Sequence, residues 1–313
     1  GGVVKELEDY MAKFLGKESA VFFPTGTMAN HIAIRKLCGI SKRAVVQEQS
    51  HIYQDSGDTI QTLSGINLIP LGNANPFFTA AQFQRAIDDS FSGRVVSKIG
   101  AVSIESPVRR CHGQYFPHDE MEEISKICRL NNIGTHLDGA RLLMMSEVSG
   151  ISVTEYTELF ETVYMSLWKY FGAPFGAILA GTETFCEGLF HDRRMFGGSL
   201  PSASLAAALA MNGIKGFQKD FSESLSKAQD LFKIANRISG IDILPYENGT
   251  NIFRVVLSEN IAAIDMKLDL ADSKIFVNTD TLYEQYFDIT INTTILRQPL
   301  ANLESALNRS LSR

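Results

Sequence analysis

Apolar residues recur in two rhythms along the first two hundred positions. Val4, Leu7, Tyr10, Met11, Phe14 and Leu15 fall three and four apart, which predicts an amphipathic helix closed by Gly16. Between such stretches come apolar runs too short for helices, at 20–23, 45–48, 66–71, 100–105, 134–137, 163–167 and 176–181. Runs of this kind predict strands, because a strand covered on both faces reads as a nearly unbroken series of hydrophobics. Helical spacing returns at 28–37, 79–91 and 117–130, and Thr182-Glu183-Thr184 is the cap of another helix. Strands alternating with helices predict an α/β fold, a three-layer large domain with a mostly parallel sheet.

The rhythm changes after position 200. Residues 205–211 are apolar nearly all round, which predicts a buried helix, and 217–238 predict a long amphipathic helix bridging to a smaller domain. Beyond Gly240 come short alternating segments at 241–244, 250–257, 274–278 and 288–294, with helices at 261–270 and 300–311. They predict a small antiparallel α/β domain. The expected division is residues 1–215 for the large domain and 216–313 for the small one. No internal repeat or low-complexity segment interrupts either.

Charge and cysteine content narrow the function classes. At 313 residues the chain can bury a sizeable core, and its net charge is −6 with Lys and Arg scattered mostly singly. It offers no basic stripe for nucleic acid and no polybasic face for a membrane, so small metabolites are the expected partners. Cys38, Cys111, Cys128 and Cys186 form no CxxC pair and predict small core fillers rather than a zinc site or a disulfide framework. No apolar run approaches the ~18 residues of a membrane span, and no basic-then-apolar leader opens the chain, which predicts a cytoplasmic protein.

Candidate chemistry sits at strand ends. The run to Leu137 delivers Asp138, and the run to Leu167 is followed by Lys169. An acid and an amine brought together suit pyridoxal phosphate: the acid keeps the pyridine nitrogen protonated, and the amine holds the aldehyde as a Schiff base. Thr25-Gly26-Thr27 joins a strand to a helix start, where free backbone N–H groups and the helix dipole favour a phosphate.

These residues lie in longer patterns. His136-Leu137-Asp138-Gly139-Ala140-Arg141, then Lys169-Tyr170-Phe171-Gly172-Ala173-Pro174, then Arg193-Arg194-Met195-Phe196-Gly197-Gly198 resemble the threonine aldolase and β-eliminating lyase group of fold-type I pyridoxal phosphate enzymes. The likeness runs from about Leu7 to the helix after Gly198. It implies an aspartate aminotransferase-like fold and pyridoxal 5'-phosphate as cofactor, with Lys169 carrying it and Asp138 at its ring nitrogen. It also implies Thr25, Gly26 and Thr27 at the phosphate, His51 of Ser50-His51-Ile52-Tyr53 stacked on the ring near the substrate hydroxyl, Arg141 beside ring and substrate, and Arg194 facing the phosphate. The expected reaction is retro-aldol cleavage of L-threonine or allo-threonine to glycine and acetaldehyde, with His51 or a water it orders as base. Relatives are dimers and tetramers with sites at subunit contacts, so a homodimer or homotetramer is expected. The sequence starts at Gly1-Gly2 without a methionine, and in the family a preceding segment helps line the site.

Three positions depart from the family pattern. Val108 stands where better-known aldolases carry a second histidine, Pro201 where they usually carry an arginine, and Thr290 nearest to the arginine that holds the substrate carboxylate, with Arg297 further along. Arg109 or Arg110 is an alternative carboxylate binder, through the bidentate fork a guanidinium offers. Two other readings stay open: β-elimination or another reaction of the same cofactor, and a non-catalytic protein that keeps the fold.

Overall fold

The structure, a computed structural model, describes residues 2–277, 283 and 285–311. The chain divides into two compact units, the first reaching Phe217 and the second starting at Gln218.

Seven five-residue strands build the first unit: β1 (Ser19–Phe23), β2 (Arg43–Gln47), β3 (Asn67–Leu71), β4 (Ala101–Glu105), β5 (Gly134–Asp138), β6 (Thr162–Ser166) and β7 (Ala177–Gly181). They form one sheet in the order β1-β7-β6-β5-β4-β2-β3. Neighbours from β3 to β6 pair in parallel, and β7 runs against both β6 and β1, so six strands share one direction. β4 to β7 are buried at every residue, which is why they read as unbroken apolar runs. β3 is an edge strand and carries Pro70, whose missing N–H an edge tolerates.

Parallel strands deliver their last residues to one side of the sheet. Register sharpens this: Glu105 at the end of β4 sits directly beside Asp138 at the end of β5. The helix Gly26–Cys38 follows β1 and packs along β5, β6 and β7. Its first turn is capped by Thr25, whose Oγ1 accepts the N–H of Met28 at 3.2 Å.

The stretch from 203 to 238 departs from expectation. A single helix, Ala203–Ala235, runs where two were predicted, continuing through Gly213 and Gly216. The segment 205–211 is not buried all round either: Ala206, Ala207 and Ala210 are covered, while Leu205 and Leu209 are 64% and 41% exposed. A helix turns only one stripe inward, and here alanines line that stripe. Gly213 is required by close approach, since a Cβ there would run into the carbonyl of Phe171. Short helices at 59–64, 142–149, 153–158 and 189–195 have no counterpart in the predicted elements.

In the second unit β8 (Ile241–Pro245), β9 (Ile252–Leu257) and β10 (Tyr286–Thr290) form an antiparallel sheet in the order β10-β9-β8. Helices Ala263–Asp272 and Leu300–Leu311 belong to the same unit, and Phe287, Val255, Ile243, Met266 and Leu307 share its core. Of the strand predicted at 274–278, residues 274–277 form no strand, and Asn278 lies outside the described residues. Lys274 takes a left-handed conformation, and its N–H and that of Ile275 close the preceding helix onto Ala271 and Leu270.

Candidate active site

A cavity of about 860 Å³ opens at the carboxyl ends of the first unit's parallel strands. Ligands collect there in open α/β sheets. Thr25, Gly26 and Thr27 follow β1, His51 follows β2, Arg109 follows β4, Asp138 ends β5 with Arg141 just beyond, and Lys169 follows β6; all eight line this cavity. Arg110 and Arg194 are not among its lining residues. Arg110 bonds Asp55, and Arg194 is exposed with its guanidinium 5.7 Å from the centre of the Phe190 ring.

At one end, the Gly26–Cys38 helix points its amino terminus into the cavity. Gly26 presses so closely on Tyr164 that a Cβ would collide with the phenol hydroxyl, so no larger residue fits this turn. Burial, reinforced by Asp138, pushes the Tyr164 phenol well above its ordinary range, so it stays a neutral hydroxyl. The helix dipole and the unpaired N–H groups of the first turn make this end suited to an anion.

At the other end, Asp138 is 5% exposed and held on both oxygens. Oδ1 accepts the N–H of Ala140 at 3.2 Å, and Oδ2 accepts the Asn30 side-chain amide at 2.5 Å. Lys169 lines the same cavity, and its ammonium is lowered to about 8 by burial and by the nearby Arg141, against the pull of Asp138 and Glu105. That value leaves a useful fraction of neutral amine near pH 8. Arg141 gives its Nε–H to the Tyr170 hydroxyl at 2.9 Å, which leaves the amino groups of its fork for a ligand. By contrast, Arg109 and Arg110 each bond one oxygen of Asp55 at 3.0 Å.

Glu105 is the functional candidate that sequence reasoning missed. Its Oε2 accepts the backbone N–H of His51 at 2.5 Å and its Oε1 that of Arg109 at 3.2 Å, so one carboxylate ties together two loops of the cavity wall. Burial, then the charge of Asp138, pushes it up to about 7. Asn30, four residues into the helix after Gly26, was missed as well. An acid ending a buried parallel strand was a usable signal for Glu105; Asn30 gave none, because its partner is 108 positions away. Among the described residues no group of three or more His, Cys, Asp or Glu is disposed to hold a metal ion.

The family model for beta-eliminating lyases matches residues 2–259. The chain belongs to the beta-eliminating lyase family. Within it, the chain is 32% identical over 213 residues to a low-specificity L-threonine aldolase of Candida albicans, covering 66% of this chain and 56% of that protein. It is 26% identical over 269 residues to the low specificity L-threonine aldolase of Escherichia coli K12, covering 83% of this chain and 77% of the relative. The match thus spans little more than half of the Candida protein. Among solved structures, a proposed L-allo-threonine aldolase of Listeria monocytogenes EGD-E superposes with a TM-score of 0.82 at 29% identity, covering 99% of this chain and 86% of that one. The chain therefore shares its fold with that structure. No helix among the described residues is long and apolar enough to cross a membrane.

Proposed function

We propose that the protein is a pyridoxal phosphate-dependent lyase that cleaves a β-hydroxy amino acid, L-threonine or allo-threonine, to glycine and acetaldehyde. The observation that carries this reading is one cavity joining Lys169, Asp138, His51 and the amino terminus of the Gly26–Cys38 helix. The residues fit the cofactor: an anion-favouring helix start with room only for glycine at 26, a buried carboxylate, and an amine lowered to about 8 share its walls. When bound, the cofactor supplies an electron sink for the carbanion formed at Cα.

The chain's own residues have distinct tasks in this reading. Backbone N–H groups at Gly26 and Thr27, with the Thr25 side chain, bind the phosphate. Lys169 Nζ would hold the cofactor's aldehyde, and Asp138 would keep its ring nitrogen protonated. His51 would lie beside the cofactor's ring and would take the proton of the substrate's β-hydroxyl, directly or through a water. Arg141, with its fork held by Tyr170, is a better carboxylate binder than Arg109 or Arg110, which already share Asp55.

The reading includes assembly as a homodimer or homotetramer. Leu205 and Leu209 lie one turn apart and exposed on the Ala203–Ala235 helix, and Phe190, Met195 and Leu200 are exposed nearby in sequence. Apolar side chains left uncovered in such number favour a second copy of the chain. Arg194 belongs to the same exposed stretch, which leaves its expected phosphate contact to the assembled protein. Light scattering that finds a monomer would remove this part.

One observation favours β-elimination as the second reading. Val108, at the place of a family histidine, is wholly buried and brings no acid or base. Incubating the cofactor-loaded protein with threonine, allo-threonine and serine, then measuring glycine, acetaldehyde and pyruvate, separates the two. Glycine with acetaldehyde is the expected result; pyruvate from serine without glycine excludes the aldolase.

A further inference from the structure

We propose that Asn30 and His136 are positioning residues that orient Asp138 through a one-way hydrogen-bond chain beginning at Thr162. The proposal rests on the preceding reading of Asp138 as the group that meets the cofactor's ring nitrogen. Three contacts make the chain: Thr162 Oγ1 to His136 Nδ1 at 2.8 Å, His136 Nε2 to Asn30 Oδ1 at 3.0 Å, and Asn30 Nδ2 to Asp138 Oδ2 at 2.5 Å. Asn30 and His136 are 1% and 0% exposed, so no bulk water competes for these groups.

Donor and acceptor chemistry fixes the direction. A carboxylate oxygen accepts, so the Asn30 atom facing Asp138 is the amide nitrogen, and its carbonyl oxygen turns to His136. That oxygen needs a donor, which places the imidazole hydrogen on Nε2. Nδ1 is then an acceptor, filled by the Thr162 hydroxyl, whose other acceptor, the Thr135 carbonyl, lies farther off at 3.4 Å. Every proton points toward Asp138, and reversing any one link leaves two acceptors or two donors face to face. Burial lowers the His136 ring to about 3, so it stays neutral and keeps this single tautomer.

The chain also couples the two ends of the cavity. Gly26 and Asn30 are one turn apart on the same helix, so the element that offers its amino terminus to the phosphate also grips the carboxylate at the ring end. One rigid helix thereby sets the span between the phosphate site and Asp138. A packing role alone would not need the polar atoms of Asn30 or His136.

The test has a cofactor-free arm and a cofactor arm. In the cofactor-free wild type, nitrogen-15 NMR of labelled histidine at pH 6 is expected to show a neutral ring protonated at Nε2 whose signals are the ones lost in His136→Phe, distinct from those lost in His31→Phe. If the signals lost in His136→Phe are those of a charged ring, or of one protonated at Nδ1, the chain is overturned. In the second arm, pyridoxal phosphate affinity is read by fluorescence quenching. Asn30→Leu and His136→Phe are expected to weaken it about 10- to 100-fold, as loss of a hydrogen bond to a charged group does. His136→Gln, whose amide can still donate to Asn30, is expected to stay within about threefold of wild type. Affinities of Asn30→Leu and His136→Phe within about twofold of wild type overturn the positioning role. Should wild type take up no pyridoxal phosphate, the functional reading fails, while the ring tautomer still decides the hydrogen-bond chain.

Discussion

Two carboxylates end neighbouring strands in register, and they are held by opposite means. Asp138 at the end of β5 is gripped by a side chain, Asn30, with one backbone N–H from Ala140. Glu105 at the end of β4 is gripped by two backbone N–H groups, those of His51 and Arg109. The difference divides the labour of one wall. Asp138 is supported from the core and is left to face a ligand, whereas Glu105 is spent on fastening the loops that carry His51 and Arg109. A fully buried acid beside another acid is costly, which is why Glu105 sits near 7 rather than in the usual carboxylate range.

The most severe way to break this comparison is to remove each carboxylate. Asp138→Ala should lower turnover by about 10²–10³-fold, because an electrostatic contact to the reacting group disappears, and should also cost stability, since the buried Asn30 amide and Ala140 N–H lose their acceptor. Glu105→Ala should leave turnover far less changed and destabilise the protein by about 1–3 kcal/mol, since the part-buried N–H groups of His51 and Arg109 lose the acceptor that fastens their loops. Steady-state kinetics and denaturant unfolding of the two variants check this; equal effects of both kinds at both positions would erase the distinction.

Titration sharpens the same contrast with a smaller effect. Glu105 is raised in the fold from 4.5 to about 7, so its protonated form contributes stability that is full below pH 4.5 and is lost as pH rises through 7. Glu105→Gln should flatten that slope. His136 is lowered from 6.5 to about 3, so its contribution is present above pH 6.5 and is lost as pH falls toward 3. His136→Gln should therefore flatten the acid side instead. Unfolding measured between pH 4 and 8 distinguishes the two; slopes of the same sign in both variants would contradict the assignment.

Much of this wall was legible in the sequence, and the reason is covalent. Lys169, Asp138, His51 and Thr25 each come within three positions of the end of an apolar run, so the strand pattern, together with the family resemblance, put them at one edge of the sheet. Contacts between distant positions left no local trace: Glu105 meets a backbone group 54 positions away, and Asn30 a carboxylate 108 away. The helix at 203–235 was misread for a related reason. Over 205–211 its apolar positions cover nearly the whole circumference, and the periodicity does not say which stripe is covered. Gly213, within the gap left between the two predicted helices, admits the Phe171 carbonyl close to the loop of Lys169. Gly213→Ala should cost about 1–3 kcal/mol through overpacking, measured by thermal unfolding.

The mildest expected effect is at the rim. Arg109 and Asp55 are 48% and 25% exposed at their side chains, and losing such a pair costs about 0–1 kcal/mol. Arg109→Ala should leave stability within that margin and change the Michaelis constant far less than Arg141→Ala does. A larger rise in Arg109→Ala would transfer the carboxylate role to the rim.

The central claim is that the Lys169 amine carries the cofactor in the cavity it shares with Asp138. Incubating the protein with pyridoxal phosphate, reducing with borohydride and mapping the proteolytic peptides by mass spectrometry tests it most directly. The account predicts a phosphopyridoxyl group on Lys169 at about one per chain, absent in Lys169→Ala. Labelling spread over other lysines, or none on Lys169, would contradict it.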